Sequence, residues 1–332
     1  MKDRKKDHID LALKSQTLVT EVDERFYYEP MLSGHPKNSD EEFQFLGKKF
    51  AVPVWVSSMT GGTSSARSIN ENLARACKDF GLGMGLGSCR AILDDDTYFH
   101  DFDLRDIIGN ERAFFANLGI SQVEQLLASK KVNKINHLVS RLRADGLIIH
   151  VNPLQEWVQP EGDRIEHAPV NTIEQLLHMV DYPVIVKEVG QGIGPESLRR
   201  LLQLPLAAIE FAAFGGTNFS KVELLRQSES ERTKAYEAIS NIGINAEAMV
   251  KIINRYVEAN QEITCKQLII SGGIKTFLDG FYLIKLSKLP AIYGQASAFL
   301  TYAEKGYEQL FQFIESQVSG LRLANAYLRI KE

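Results

Sequence analysis

From residue 51 onward, short apolar or glycine-rich segments recur along the chain, separated by longer and mainly polar stretches. There are eight of these segments, and each has the length and composition of a buried strand. They are Pro53–Met59, Gly81–Gly87, Ala113–Gly119, Gly146–Asn152, Pro183–Val189, Ala207–Ala213, Gln267–Gly273 and Pro290–Ala296.

Most of these strands are followed by an amphipathic helical pattern, in which apolar residues share one helix face. The predicted helices include Ala66–Phe80, Ser121–Lys131, Thr172–Val180, Pro195–Leu204, Ala246–Asn260 and Phe277–Ser287. Eight repeated β–α units predict a closed (β/α)8 TIM barrel. An open doubly wound sheet is the alternative, but no GxGxxG motif opens a helix after the first strand. We assign residues 51–332 to the barrel, with a longer connection at 214–266, and residues 1–50 to an N-terminal arm and cap that packs on it.

Composition and charge narrow the class of protein. The 332 residues are 44% hydrophobic, and the formal net charge is -4, which indicates neither a nucleic-acid surface nor an acidic-membrane surface. No stretch approaches the roughly 20 apolar residues of a membrane span, and no apolar signal core follows the charged N-terminus. The three cysteines are widely spaced and indicate free thiols. We therefore expect a cytoplasmic protein.

The glycine-rich turns after the seventh and eighth strands predict a phosphate site. Ser271–Lys275 and Gly294–Ala296 follow these two strands. TIM barrels commonly bind phosphate at this place, through backbone N–H groups and a helix N-terminus. Arg90 and His150, with Arg4 and Lys5 as further candidates, favour a second anion site, although Arg90 could instead pair with one of Asp94–Asp96. Two phosphate sites suggest a phosphorylated cofactor and a phosphorylated substrate.

Polar residues that follow the fourth and fifth strands are the main candidates for chemistry. His150, Asn152, Gln155 and Glu156 lie within seven residues, and the alternative interpretation is an ordinary polar loop. Glu156 is a candidate Mg2+ ligand that would act together with a substrate phosphate. Lys187 interrupts an apolar strand, which is costly unless it meets an anion or an electron-rich cofactor. A Schiff base or a structural pair with Glu188 are its alternatives.

These motifs resemble those of type 2 isopentenyl diphosphate isomerase, the FMN-dependent form of that enzyme. HVNPLQE at 150–156 followed by QPEGDR at 159–164 is the most specific part of the resemblance. The other matching motifs are RKxxH at 4–8, FYYEPMLSGHP at 26–36, MTGG at 59–62, MGLGSCR at 84–90, ANLG at 116–119, VKEVG at 186–190, GGTN at 215–218 and SGGI at 271–274.

The resemblance implies a homo-oligomeric enzyme, a tetramer or an octamer, that interconverts isopentenyl diphosphate and dimethylallyl diphosphate. Reduced FMN acts as the acid–base group, NADPH is the reductant, and Mg2+ is bound by Glu156. Gln155 lies near the substrate alkene and, with His150, is implied to be catalytic. The implied diphosphate contacts are Arg4, Lys5, His8, Arg90, His150 and Asn152. The implied flavin contacts are Met59, Thr60, Gly61, Ser88, Asn117, Lys187, Thr217, Gly272, Gly273, Lys275, Gly294 and Ala296.

The sequence departs from the family pattern near the expected flavin site. The departures are Val189, Ala212–Phe214, Lys275 and Phe277, and Phe277 would narrow the phosphate cradle if it faced inward. They leave open an isomerase-like barrel that binds diphosphates but has impaired flavin binding. A different FMN-dependent oxidoreductase, acting on a 2-hydroxy acid, is the other alternative. That chemistry needs a histidine base near the sixth or seventh strand, and no histidine follows His178.

Overall fold

The computed structural model of the protein describes residues 2–37, 42–58 and 66–331, and the side chains from residue 7 onward within those ranges. Within them, eight parallel strands form a closed barrel, in which each strand pairs with its neighbour in the chain and the last pairs with the first. The barrel strands are β4 (Val54–Val56), β5 (Gly83–Gly85), β6 (Phe114–Gly119), β7 (Gly146–His150), β8 (Val184–Lys187), β9 (Ala208–Glu210), β10 (Leu268–Ser271) and β11 (Ala291–Gln295). The predicted (β/α)8 TIM barrel is confirmed.

Helices surround the barrel, and many of them bury an apolar face against it. In α2, for example, Leu73 and Cys77 are one turn apart and both are fully buried. The helices are α1 (Lys2–Ala12), α2 (Ala66–Phe80), α3 (Phe99–Phe102), α4 (Arg105–Ile108), α5 (Ile120–Ala128), α6 (Val132–Arg141), α7 (Pro153–Val158), α8 (Pro169–Leu177), α9 (Pro195–Gln203), α10 (Phe219–Arg226), α11 (Glu231–Ser240), α12 (Ala246–Glu258), α13 (Phe277–Leu286), α14 (Ser297–Lys305) and α15 (Tyr307–Tyr327), with short 3-10 helices at Val19–Glu21 and Cys89–Ile92.

The interior of the barrel is filled at its amino-terminal end by a hairpin. Strands β2 (Phe43–Phe45) and β3 (Lys48–Phe50) pair antiparallel, and Phe45 and Phe50 are buried with Trp55 in one apolar cluster. The ring of Trp55 packs edge-on against Phe115 at a centroid distance of 6.1 Å. Because side chains close this end of the barrel, we expect ligands to bind at the carboxyl end of the strands.

The pairing of the two termini was not predicted. Strand β1 (Phe26–Tyr28) pairs antiparallel with the C-terminal strand β12 (Leu328–Ile330). This pairing ties the N-terminal arm to the last helix, and Arg25 reinforces it through an ion pair with Asp279 at 2.8 Å.

The chain between residues 214 and 266 carries α10, α11 and α12, and α10 packs on α7 beside the barrel mouth. None of the helices in the described ranges is long and apolar enough to span a bilayer.

Candidate functional site

A cavity of about 590 Å3 opens at the carboxyl end of the barrel strands. Its wall comes from the ends of β4 and β8–β11 and from the turns that follow them. The residues around it include Ser57, Ser58, Lys187, Val189, Glu210, Ala212, Ala213, Thr217, Gly272, Gly273, Lys275, Gly294, Gln295 and Ala296. Seven residues predicted to contact a cofactor therefore line this cavity: Lys187, Thr217, Gly272, Gly273, Lys275, Gly294 and Ala296.

The turn after β10 is built from glycines that no other residue can replace without strain. Gly272 has φ +90° and Gly273 has φ +75°, the left-handed region that favours glycine. A Cβ on Gly272 would lie 2.1 Å from the carbonyl oxygen of Ala213, and one on Gly294 would lie 2.6 Å from Ser57 Oγ. The backbone at these glycines therefore faces the cavity without side chains, so that its N–H groups can approach a phosphate.

Lys187 ends β8 and is almost fully buried beside the cavity, at 7% exposure. Its Nζ donates to the carbonyl oxygen of Glu188 at 2.9 Å, and no carboxylate forms an ion pair with it in the described part of the chain. The Glu188 carboxylate instead accepts from the backbone N–H groups of Gly190, Gln191 and Gly192. Burial raises the pKa of Glu188 nonetheless. The alternative of a Lys187–Glu188 structural pair is not what the structure shows.

Glu210 is a functional candidate that the sequence analysis missed. It lies opposite Lys187 on the neighbouring strand β9, and it is fully buried. One carboxylate oxygen accepts from Ser57 Oγ at 2.5 Å and from Ser271 Oγ at 3.3 Å, whereas Oε2 has no hydrogen-bond partner among the described residues. A single carboxylate within the apolar run AAIEFAA is the same kind of signal that identified Lys187.

His150 ends β7 and is held in one tautomer by Asn117. The amide Nδ2 of Asn117 donates to Leu86 O at 2.9 Å and to Ser58 Oγ at 3.0 Å, so its Oδ1 accepts from His150 Nδ1, 2.8 Å away. Burial and the nearby ammonium group of Lys187 lower the pKa of His150 to about 3. The unliganded imidazole is therefore neutral, and its Nε2 is free to accept a hydrogen bond.

A second hydrogen-bond network fixes the polar residues of α7. Asn152 Nδ2 donates to Gln155 Oε1 and to Glu156 Oε1, both at 3.0 Å. Gln155 Nε2 in turn donates to Glu223 Oε1 of α10 at 3.0 Å. Glu223 is 3% exposed and also pairs with Arg226. The sequence analysis did not identify Glu223, because it is distant in the chain from the residues it holds.

Glu156 is the predicted metal ligand, and both of its carboxylate oxygens accept hydrogen bonds. It is buried, and its Oε2 accepts from the backbone N–H of Asp163 at 2.8 Å. The described residues contain no group of three or more His, Cys, Asp or Glu side chains that could hold a metal ion. Asn152 Oδ1 is buried nearby without a hydrogen-bond partner. A divalent cation here would take most of its ligands from water or from a ligand's phosphate oxygens.

Arg90 is engaged by an ion pair with Asp163. Its Nη1 lies 2.8 Å from Asp163 Oδ2, which Gln122 Nε2 also contacts at 2.8 Å. The acidic partner is therefore Asp163 and not one of Asp94–Asp96. Ser88, which precedes the 3-10 helix, is exposed and accepts weakly from the backbone N–H of Arg90. The roles predicted for Arg90 and Ser88 stay predictions.

The predicted residues of the N-terminal part cannot be placed as fully. His8 lies in α1 and is exposed. Arg4 and Lys5 belong to the same helix, but their side chains lie outside the described ones. Met59, Thr60 and Gly61 also lie outside the described residues.

The two phenylalanines that depart from the family pattern do not face the cradle. Phe277 starts α13, and its ring contacts Gly320 of α15, where an added Cβ would lie 2.5 Å from it. Phe214 packs in the same way on Gly243, at 2.5 Å from an added Cβ. The prediction that Phe277 narrows the cradle is therefore wrong, because its ring packs against Gly320 in the outer helix layer.

Comparison with known proteins finds relatives whose sequences align with nearly the whole chain. The chain is 32% identical over 325 residues to "Isopentenyl-diphosphate delta-isomerase" of Rickettsia peacockii (strain Rustic), which covers 97% of this chain and 92% of the relative. It is 30% identical over 335 residues to the protein of the same name from Rickettsia typhi (strain ATCC VR-144 / Wilmington), with 99% and 95% covered. No protein-family model matches the chain.

Solved structures with the same fold are more distant in sequence. A mandelate oxidase variant with an FMN adduct superposes with a TM-score of 0.56 at 15% identity, covering 93% of this chain and 88% of the other. A flavocytochrome b2 variant with pyruvate bound gives a TM-score of 0.63 at 12% identity, with 91% and 72% covered. At these identities the likeness establishes the barrel fold only.

Proposed function

The chain belongs to the isopentenyl-diphosphate delta-isomerase family, and from this premise we propose that it interconverts isopentenyl diphosphate and dimethylallyl diphosphate. The reaction is a 1,3-allylic proton shift in isoprenoid biosynthesis, and it needs reduced FMN and Mg2+. The observation that carries the proposal is the pair of adjoining features at one barrel mouth. One is a glycine cradle with the unpaired Lys187, and the other is the Asn152–Gln155–Glu156 network.

The residues around the cavity fit FMN. The bare backbone at Gly272, Gly273 and Gly294 suits the phosphate, because a Cβ at two of these positions would occupy the space of neighbouring atoms. Lys187 supports the proposal because its buried ammonium group has no carboxylate partner and suits an electron-rich ring. Thr217 and Lys275 are exposed at the cavity edge, where a hydroxyl and an ammonium group can meet phosphate oxygens.

The substrate diphosphate would bind on the β7 side of the mouth. Glu156 would hold Mg2+ together with diphosphate oxygens, and Asn152 would contribute its free Oδ1. His150 is neutral before the ligand arrives. A diphosphate anion beside it favours the protonated ring and raises its pKa again, so that His150 becomes a charged donor. Arg90 can join this group by leaving Asp163, while Arg4, Lys5 and His8 are proposed to come from the N-terminal arm.

Gln155 is the residue that we assign to the alkene. Its amide is oriented from both sides, by Asn152 on its oxygen and by Glu223 on its nitrogen. An amide fixed in this way can place its N–H donor or its oxygen acceptor beside the reacting carbon without changing its own charge. When bound, reduced FMN supplies an electron-rich group that exchanges a proton and stabilises positive charge developing on the substrate.

The remaining parts of the proposal derive from the family resemblance. NADPH is the proposed reductant of the flavin, the compartment is the cytoplasm, and the assembly is a homo-oligomer. Size-exclusion chromatography with light scattering distinguishes a tetramer or an octamer from a monomer.

An anaerobic assay tests the function. Purified protein with FMN, NADPH, Mg2+ and isopentenyl diphosphate should form dimethylallyl diphosphate, and omission of FMN should abolish product formation. The variant Glu156→Gln should lose activity while it keeps the flavin absorption spectrum, because the carboxylate serves the metal and not the flavin. Product formation that does not depend on added or bound FMN would contradict the proposal.

A further inference from the structure

A cluster of two arginines and two aromatic residues lies on the outer side of α7. Trp157 and Arg164 come from α7 and the turn after it, and Arg232 and Tyr236 come from α11. The guanidinium carbon of Arg164 lies 4.3 Å from the centre of the Trp157 ring, and that of Arg232 lies 5.4 Å from the Tyr236 ring. Trp157 Nε1 donates to Tyr236 Oη at 3.2 Å. These four residues, here called the Trp157 cluster, thus form one continuous surface.

The two arginines of the Trp157 cluster have no acidic partner among the described residues. Neither forms an ion pair with a carboxylate in the described ranges, although Arg90 and Arg226 on neighbouring segments are both paired. Arg232 Nη2 donates to the carbonyl oxygen of Trp157 at 3.4 Å. The hydrogen bond from Trp157 and the positive charges of Arg232 and Arg164 lower the pKa of Tyr236. A local positive potential therefore exists at this place on a chain whose net charge is -4.

Trp157 adds a half-exposed aromatic ring to these charges, with Arg164 over one of its faces. Its side chain is 53% exposed, whereas the neighbouring Glu156 and Val158 in the same helix are buried. An exposed indole next to unpaired guanidinium groups has the chemistry that binds a base and a phosphate together, since bases stack on aromatic rings and arginine binds phosphate oxygens.

We propose that the Trp157 cluster is a second ligand site that binds a nucleotide, with the phosphate between Arg164 and Arg232 and the base on Trp157. The site is separate from the cavity at the barrel mouth. Trp157 faces away from the network that holds Gln155 and Glu156 on the same helix. The proposal does not depend on the isomerase activity, because the four side chains belong to neither the cradle nor that network.

Binding of ADP to protein saturated with FMN and isopentenyl diphosphate tests the proposal, since these two ligands occupy both proposed sites at the barrel mouth. Equilibrium dialysis should show saturable binding of one ADP per chain. Adenosine and inorganic phosphate should each bind at least about tenfold more weakly, because each provides half of the contacts. The chain has two tryptophans, and Trp55 is fully buried, so a change in the fluorescence of the exposed indole reports on Trp157. This change should vanish in Trp157→Phe.

The double variant Arg164→Gln/Arg232→Gln should weaken ADP binding by about 100-fold, roughly tenfold for each charged hydrogen-bond donor. Arg199→Gln/Arg200→Gln on α9 is the matched control and should leave binding unchanged, since these exposed arginines pair with Glu196 and Glu174. Three results would overturn the proposal. They are no saturable binding at millimolar ADP, equal binding by the double variant, or a concentration-dependent dimer that buries Trp157 and excludes ADP.

Discussion

The hydrogen bond between Gln155 and Glu223 gives the sharpest test of how the site is positioned. Glu223→Ala removes the acceptor of Gln155 Nε2, at 3.0 Å, and leaves the amide held only through Asn152. A hydrogen bond to a charged group contributes about 1.5–3 kcal/mol. If that bond fixes Gln155 in the transition state, its loss lowers kcat/KM by roughly 10- to 100-fold.

A double-mutant cycle separates positioning from general damage. The assay is isomerisation at saturating FMN, with flavin absorbance and thermal stability measured for every variant. Glu223→Ala should lower kcat/KM by the full 10- to 100-fold in the wild-type background. It should lower kcat/KM little in the Gln155→Leu background, because the residue that Glu223 positions is then missing. Glu229→Ala is the control, since this nearby carboxylate is exposed and pairs only with Lys234. Equal losses from Glu223→Ala in both backgrounds would refute the positioning role.

Three further predictions concern the cavity. Lys187→Met should raise the stability of the FMN-free protein, because a buried charge is removed. The same change should weaken FMN binding by about tenfold, measured by titration, and lower the flavin midpoint potential, measured by potentiometry. The folded pKa of His150 lies below its ordinary value of 6.5, so its stabilising contribution is complete above pH 6.5 and is lost as the pH falls towards about 3. Denaturation across this range should show a smaller loss in His150→Gln than in wild type. Gly272→Ala should destabilise the protein by about 1–3 kcal/mol and reduce FMN binding, whereas Gly34→Ala, which meets no atom within 4 Å, should do neither in the same thermal and binding assays.

Much of the fold follows from local patterns that the sequence displays directly. Each barrel strand is an apolar run bounded by turn residues, and the structure places a strand within each of the eight predicted segments. The helix predicted over Ala66–Phe80 has those bounds in the structure, because its apolar spacing is regular throughout. Lys187 could be identified in the same way, since a cation is costly in a buried strand.

What the sequence could not predict depends on contacts between distant segments. Glu223 meets Gln155 only because the long connection brings α10 onto α7. Arg90 finds Asp163 across a separation of 73 residues. The direction of Phe277 is set by Gly320, a glycine in the last helix that leaves room for the ring. Glu210 is a different case, because its signal is local and the same reasoning that identified Lys187 would have found it.

Deuterium exchange tests the central claim most directly. In D2O, under anaerobic conditions with FMN, NADPH and Mg2+, the protein should form dimethylallyl diphosphate and place deuterium in the recovered isopentenyl diphosphate. Oxidised FMN without reductant should support neither result. Failure to exchange with fully reduced, demonstrably bound FMN would contradict the account, as would exchange at the same rate with oxidised FMN.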